Sequence, residues 1–305
     1  MEEYLLNTLP LDSVLLMLWQ NEPCVVIGRN QSAENEVNIE ALEKDGGYLV
    51  RRLSGGGAVY HDLQNLNFTF IVNNELYDLD KQTEVILQAV KKLSIDAERN
   101  GRNDITVLER KFSGNAYYHG RCSSYHHGTI MVEVDNEAMQ KYLNVSMVKL
   151  ASKQVKSVKS RVINLKELKP DITVPLLKEA LKEAFREVYG EYRIINESDL
   201  DEEQIRKLTD KFVDPLWKYG HTKAYTYEWE TRFSWGTVLF RYDKDEDVIT
   251  DCAIYTDALN TEALNELAGK LKGLKISLLL KQKTWNEYER DVIGYLIKME
   301  EEHAL

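Results

Sequence analysis

The chain has 305 residues and a mass of 35.3 kDa, about twice the length of the commonest single domain, so one large domain or two modest ones are expected. With 43% hydrophobic and 29% charged residues, sixteen glycines and five prolines, it falls outside the disordered, collagen-like and low-complexity classes. A formal net charge of −11, from 39 basic and 50 acidic side chains, argues against broad binding to nucleic acid or an anionic membrane. Any anionic ligand must therefore meet a local positive site.

Cys24, Cys122 and Cys252 form no CxxC pair and are odd in number, so neither a disulfide framework nor a zinc knuckle is expected, and a reducing, cytoplasmic compartment fits best. No run approaches ~18 uncharged apolar residues. The opening Met1-Glu2-Glu3-Tyr4 is neither a signal peptide nor a basic transit peptide.

Short strands are predicted at 24–28, 48–52, 67–72 (Phe68, Phe70 and Val72 on one face), 111–118 and 129–134. A helix over 82–93 places Val85, Ile86, Ala89, Val90 and Leu93 on one stripe. The order is mixed α and β without strict βαβ repetition. Beyond residue 140 charged helices dominate, clearest at 174–189, where Leu177, Ala180, Leu181, Ala184, Phe185 and Val188 share a face. From 228 the pattern changes to a hairpin, with strands at 232–242 and 248–255 around a turn at 243–247. Helices at 261–271 and 285–299 follow. The chain thus reads as a large mixed unit, 1–222, and a small α+β unit, 223–305.

Ten of the sixteen glycines and four histidines (His61, His119, His126, His127) lie in or beside the window from Gly28 to Gly128, where a site should be sought first. Arg51-Arg52-Leu53-Ser54-Gly55-Gly56-Gly57-Ala58-Val59-Tyr60-His61-Asp62 runs a strand into three glycines, which either cradle an anion on their N–H groups or form a tight bend. No Gly-Lys-Ser/Thr follows, and the GxGxxG spacing is absent, so this is neither a P-loop nor a dinucleotide fingerprint. In Lys111-Phe112-Ser113-Gly114-Asn115-Ala116 a compact cation with three donors sits beside small residues that leave room for a substrate; the plain alternative is a strand-edge lysine. Asn103-Asp104 is a pair that can mean a loop, and adjacent His126 and His127 on an extended chain point to opposite faces. His61, His126 and His127 lack the spacing of a metal site, and nothing local marks Cys122 as an activated thiol.

The ordered set closely resembles lipoate-protein ligases. It comprises Trp19-Gln20-Asn21, Val25 to Gln31, Arg51 to Asp62, Gly101-Arg102-Asn103-Asp104, Lys111 to Ala116 and His127-Gly128-Thr129, with Lys149 to Leu165 and Arg232-Phe233-Ser234-Trp235-Gly236 later. The resemblance implies an α+β protein: a large mixed α/β catalytic domain of the biotin/lipoate ligase type and a smaller C-terminal α+β domain. It further implies that lipoate or octanoate attacks ATP to give acyl-AMP, and that the acyl group then passes to a lysine of a carrier. Expected carriers are lipoyl domains of 2-oxoacid dehydrogenase complexes or the glycine-cleavage H-type protein; no nucleic acid and no membrane is expected as partner. By the same resemblance Lys111 is the catalytic lysine. Trp19, Arg52, Ser54, His61, Ser113, Gly114, Ala116 and His127 bind the acid. Gly55, Gly56, Gly57, Ala58, Val59, Tyr60, Asn65, Asn103, Asp104 and Lys111 bind the nucleotide, with Asp104 placing Mg²⁺. A fixed cation between carboxylate and phosphate lowers the barrier where charge develops. Burying about seven methylene equivalents contributes roughly 5–6 kcal/mol to binding.

Family members usually carry a strand ahead of the acidic pair Glu2-Glu3, so the resemblance implies a start in mid-helix and an incomplete sheet edge beside residue 1. Gln64 stands where a glycine often occurs. Two rival readings are an ATP-independent octanoyl or lipoyl transferase and a non-catalytic lipoate-binding protein. The first looks for a cysteine between 144 and 165, where this chain has none and instead carries Lys149, Lys153, Lys156, Lys159 and Arg161. The Gly-Arg-Gly-Arg loop of biotin ligases is absent.

Overall fold

The structure is a computed structural model that describes residues 1–144, 162–220, 223–260, 262–281 and 284–303. The lysine-rich stretch singled out above lies largely outside the described residues. Among the described residues nine strands build the first unit: β1 (Val14–Trp19), β2 (Cys24–Ile27), β3 (Tyr48–Arg51), β4 (Val59–His61), β5 (Asn65–Asn73), β6 (Glu98–Asn100), β7 (Asp104–Val107), β8 (Arg110–His119) and β9 (Ser123–Met131). Six of them form an antiparallel sheet in the order β1-β5-β9-β8-β7-β6, and a small sheet, β3-β2-β4, stands beside it. The outer edge of β1 meets no other strand among the described residues, and residues Glu2–Thr8 form a helix against the sheet rather than part of its edge.

All nine residues of β5 are buried, with Leu66, Phe68, Phe70 and Val72 on one face and Asn65, Asn67, Thr69, Ile71 and Asn73 on the other. Phe68 and Phe70 pack on one side against the helices Leu79–Lys92 and Val174–Tyr189, through Val85, Ile86, Ala89, Val90, Leu177, Leu181 and Phe185. Both helices start where their caps dictate: the Asp78 carboxylate accepts from Lys81 N–H, and the Thr173 hydroxyl accepts from Leu176 N–H with Pro175 in the first turn. On the opposite side Ile71, Tyr125 and Leu53 meet Tyr4 and Leu5 of the first helix.

The second unit contains β10 (Tyr227–Phe233), β11 (Gly236–Asp245) and β12 (Val248–Thr256) as an antiparallel meander, with Trp229 stacked on Phe240 at 5.1 Å. The helix Glu287–His303 closes its core through Val292, Ile293 and Leu296. It touches the first unit where Gly56 N–H donates to the Ala258 carbonyl (3.1 Å) and Thr256 N–H to that of Asn30 (2.8 Å). Among the described residues no helix is long and apolar enough to cross a membrane.

Several boundaries differ from the sequence reading, each for a local reason. The strand expected at 129–134 begins at Ser123, because polar Ser124, His126 and His127 are paired inside the protein rather than lost to a loop. The strand expected at 232–242 is broken by a two-residue turn that leaves Phe233 opposite Gly236. β11 extends to Asp245, and Glu246 makes the turn at φ +49°. Among the described residues of the helix expected at 261–271, Leu267–Leu271 is helical. The last helix begins after Asn286, whose side chain and that of Glu289 satisfy each other's backbone N–H, a capping box. Strands β1, β6 and β7 and the helices Glu202–Val213 and Pro215–Tyr219 were not anticipated.

Candidate active site

A cleft of ≈ 1170 Å³ opens over one face of the large sheet. Its floor is set by strand register. One row crosses from Gly114, whose N–H donates to Thr129 Oγ1 (3.3 Å), through Thr129 and Asn67 to Trp19. The next crosses Ala116, His127, Thr69 and Met17. Small side chains thus occupy the β8 end of the floor, and the tryptophan closes the β1 end.

Lys111 and Gly114 are three residues apart and in a regular strand would face opposite sides. The ladder between β7 and β8 steps from Ile105↔Ser113 to Thr106↔Lys111, so Phe112 is an extra, bulged residue. The bulge turns both Lys111 and Gly114 toward the cleft and leaves Phe112 in the core. The ammonium lies over Gly114 so closely that a Cβ there would be 2.7 Å from Nζ. Asp104, which opens β7, holds Nζ at 2.7 Å. Asn103 is fixed beside it, its Nδ2 donating to the Asn115 carbonyl at 3.0 Å.

The three glycines serve three different purposes. A Cβ at Gly55 would stand 2.2 Å from the Ala258 carbonyl oxygen, so the second unit requires it; Gly56 has φ +88°; and Gly57 has nothing within 4 Å of a built Cβ and leaves open space toward the cleft. Gly56 N–H is engaged by Ala258, so the expectation of three free amides cradling an anion needs correcting: in this arrangement the Gly56 donor is already used. The loop is held from behind by Arg52, whose Nη2 donates to the Gly55 and Gly57 carbonyls (2.6 and 2.8 Å) and whose Nη1 donates to that of Val26 (2.9 Å).

From Arg52 a hydrogen-bonded chain runs under the floor. Arg52 Nε donates to Ser54 Oγ (3.0 Å), Ser54 Oγ meets His127 Nε2 (2.7 Å), and His127 Nδ1 meets Glu2 Oε1 (2.8 Å). Thr69 Oγ1 also donates to Glu2 (2.8 Å) while accepting from Trp19 Nε1 (3.0 Å). Burial raises the Glu2 carboxyl, but His127, Thr69 and the chain terminus outweigh it and hold it below its usual range. Burial pulls the Arg52 guanidinium down to about 10, with Tyr125 and Glu2 opposing, so it keeps its charge at neutral pH.

His126 points away from the cleft, between Gln82 and Asn115 and stacked on Phe70. His61 lines the cleft against Trp19, its Nδ1 accepting from Asn21 Nδ2 at 3.1 Å. The three histidines therefore do not converge, and among the described residues no group of three His, Cys, Asp or Glu side chains is placed to hold a metal. Burial, the leading cause in both, pushes His61 and His126 down to about 3. The unfolded chain takes up protons near pH 6.5 that the folded protein refuses, so this stability is complete above that pH and is lost as pH falls below it. The loss is expected to reach about 1.4 kcal/mol per pH unit for each histidine between pH 6.5 and 3. Urea midpoints at pH 7.5 and 5.5 should show it, and His126→Gln should flatten the slope; an equally steep slope in that variant would refute the assignment.

Residues 1–186 match the model of the lipoyl protein ligase A/B catalytic domain, and residues 222–290 that of the bacterial lipoate protein ligase C-terminus. The chain is 40% identical over 283 residues to the lipoate-protein ligase A of Psychrobacter cryohalolentis, covering 90% of this chain and 84% of that protein. The crystal structure of P. falciparum LipL1 in complex with lipoate superposes with a TM-score of 0.79 at 29% identity, covering 94% of this chain and 87% of the other. A lipoate-protein ligase A bound with ATP superposes with a TM-score of 0.62 at 26% identity, covering 72% and 91%. The chain belongs to the lipoyl protein ligase A/B family.

Of the site residues expected from this ligase sequence, Trp19, Arg52, Gly56, Gly57, Ala58, Val59, His61, Asn103, Lys111, Gly114, Ala116 and His127 line the one cleft. Gly55 and Ser54 stand behind the loop and Asp104 beside Lys111, as described. Tyr60 points into the core against Tyr142 (5.7 Å). Asn65 and Ser113 are fully buried, Asn65 Nδ2 reaching only the Asn67 amide oxygen at 2.8 Å. Cys122 is exposed at the β8–β9 turn, away from the cleft. Sequence reading gave no role to Glu2, Asn21, Asn67 or Thr69. The signal for two of them was present: Asn67 and Thr69 interrupt the apolar run of β5.

Proposed function

We propose that the chain is an AMP-forming, ATP-dependent lipoate-protein ligase whose acid and nucleotide meet at Lys111. The observation that carries this reading is the bulge that turns Lys111 into the same cleft as Gly56 and Gly57, at the small-residue end of a floor that ends at Trp19 and Met17. A lipoate carboxylate oxygen attacks the α-phosphorus of ATP and pyrophosphate leaves. The Lys111 ammonium offsets the charge of both reactants. A carrier lysine amine then attacks the acyl carbonyl, AMP departs, and the amine proton is released. Burial lowers the proton affinity of His61, which makes it a weak base for that proton.

Mg²⁺ fits as part of the nucleotide complex. Among the described residues Asp104 is the single carboxylate paired with Lys111 and already accepts from it, so those residues alone offer too few oxygens for a resident ion. Residues 1–222 carry activation, and 223–305 form the accessory domain that contacts the glycine loop. The carriers are lipoyl domains of 2-oxoacid dehydrogenase complexes or the H-type protein of glycine cleavage, and the compartment is the cytoplasm.

The test is incubation with lipoate, Mg·ATP and an apo lipoyl domain, reading AMP release and the mass of the acylated carrier. Acylation from a carrier thioester without ATP would overturn the reading. Within it, Gly114→Ala should leave the fold intact, because the clashing atoms are the far end of a flexible lysine, yet displace the ammonium by about 1 Å and lower the activation rate roughly 10²-fold. Pyrophosphate exchange measures this; a wild-type rate would show that the position of Nζ is immaterial.

A further inference from the structure

On the side of the sheet away from the cleft, a chain of buried polar side chains leads to the turn that carries Asp104. It starts at Gln82, fully buried on the helix Leu79–Lys92. The Gln82 amide stands 3.1 Å from His126 Nδ1, and His126 Nε2 stands 2.8 Å from Asn115 Oδ1. Asn115 is tied to Asn103 from both ends: its backbone N–H and its Nδ2 donate to the Asn103 carbonyl at 2.8 and 3.1 Å, and its own carbonyl accepts from Asn103 Nδ2 at 3.0 Å. Asn103 precedes Asp104, whose carboxylate holds the Lys111 ammonium at 2.7 Å. Aromatic rings fix the imidazole in place: Phe70 stacks on it, Phe68 meets it edge-on, and Tyr117 leans against it at 5.2 Å. The Tyr117 hydroxyl donates in turn to the Arg102 carbonyl at 3.3 Å.

The last link dictates the direction of the chain. Asn115 commits its NH2 group to Asn103, so its oxygen faces the ring and His126 must offer a proton there. Burial pulls the imidazole down to about 3, with the charges of His127 and Arg99 acting the same way, so the ring is neutral. A neutral imidazole carries one proton; with it on Nε2, Nδ1 presents a lone pair. Gln82 can meet a lone pair only with its amide nitrogen, the one Gln82 atom that otherwise lacks a partner. The amide orientation with its nitrogen toward Nδ1 therefore completes the chain.

We infer that Gln82 and His126 are positioning residues for activation: with its proton on Nε2, His126 locks Asn115 and so the Asn103–Asp104 turn, which sets the Lys111 ammonium where acid and nucleotide meet. The inference rests on the ligase reading for what Lys111 does. Lys111 sits on a flexible stem and is about one-third exposed, so its place over Gly114 depends on Asp104. Asp104 opens a four-residue strand, β7, whose outer neighbour β6 is exposed at every residue. A margin of this kind opens easily unless something buried holds it. The chain through His126 supplies that hold, since it ends on a helix of the core. Neither Gln82 nor His126 lines the cleft, so both act through the turn.

His126→Gln and His126→Asn separate this role from packing. A glutamine amide nitrogen falls near the place of Nε2 and can donate to Asn115, whereas the shorter asparagine reaches only the place of Nδ1. In pyrophosphate exchange His126→Asn should lower kcat roughly ten-fold at an unchanged KM for lipoate, and His126→Gln should restore kcat to within roughly two-fold of wild type. Gln82→Met, which leaves Nδ1 unmet, should lower kcat as well. Nitrogen-15 shifts of the His126 ring should show a protonated Nε2 and a bare Nδ1 in the wild type. A proton on Nδ1, or equal kcat in the asparagine and glutamine variants, overturns the inference. Absence of exchange in the wild type overturns the ligase reading instead. The positioning is then still decided by the ring shifts and by hydrogen exchange of the Asn115 N–H, which should quicken in His126→Asn and not in His126→Gln. Should His126→Asn fail to fold, the ring shifts and Gln82→Met decide the matter, and a wild-type kcat in Gln82→Met overturns the inference.

Discussion

Lys111→Ala is expected to lower AMP release from lipoate and ATP by roughly 10³-fold while the protein stays folded. The two halves of this expectation have separate causes. Activation brings a carboxylate against a phosphate, and Lys111 is the cation positioned over Gly114 at the small-residue end of the floor. Stability is spared because the Lys111–Asp104 pair is about one-third exposed on both sides, and such pairs contribute ~1 kcal/mol or less. Lys111→Arg should not rescue, since a broad planar fork replaces a compact ammonium where even a methyl group would collide. Pyrophosphate exchange beside a thermal melt checks both halves. Undiminished exchange in Lys111→Ala would remove the proposed chemistry, whereas a lost melt would show that the pair is structural.

How far this site was legible in the sequence depended on which interactions are local. The helix 174–189 was readable to the residue, because an apolar stripe, a capping threonine and a terminal glycine all lie within the segment itself. Lys111 stood out as a cation next to small residues, but the bulge at Phe112 that gives it direction depends on pairing with β7, four residues that follow directly on the Gly101-Arg102-Asn103 turn. The glycine triplet was visible as a loop. Its occupation by Ala258 was not, since that contact joins residues some two hundred positions apart and leaves no periodic trace. Polar β9 was shortened in the reading because Ser124, His126 and His127 suggest a loop until their buried partners are known. Glu2 carried no pattern at all: its meaning comes entirely from His127 and Thr69 across the sheet.

The same network makes Arg52 the residue whose loss should be felt most widely. Its side chain meets Ser54 Oγ and three backbone carbonyls, two of them flanking Gly56, so the loop conformation and the guanidinium specify each other. Arg52→Met keeps the apolar stem but strands those acceptors and removes a buried cation that feels the Glu2 charge through the chain of Ser54 and His127. Breaking a buried charge arrangement from one side costs about 3–5 kcal/mol, far more than an exposed pair. The urea midpoint should fall accordingly, and the KM for ATP should rise because Gly57 is no longer held beside Lys111. Glu2→Gln in the Arg52→Met background should recover about 1–3 kcal/mol, the coupling expected of groups in one network. Arg52→Lys should recover charge but not the loop, since one ammonium cannot reach Val26, Gly55 and Gly57 together. The double-mutant cycle decides it: strict additivity would mean that Glu2 and Arg52 act independently, and that the chain through His127 and Ser54 transmits nothing between the tail end of the cleft and the glycine loop.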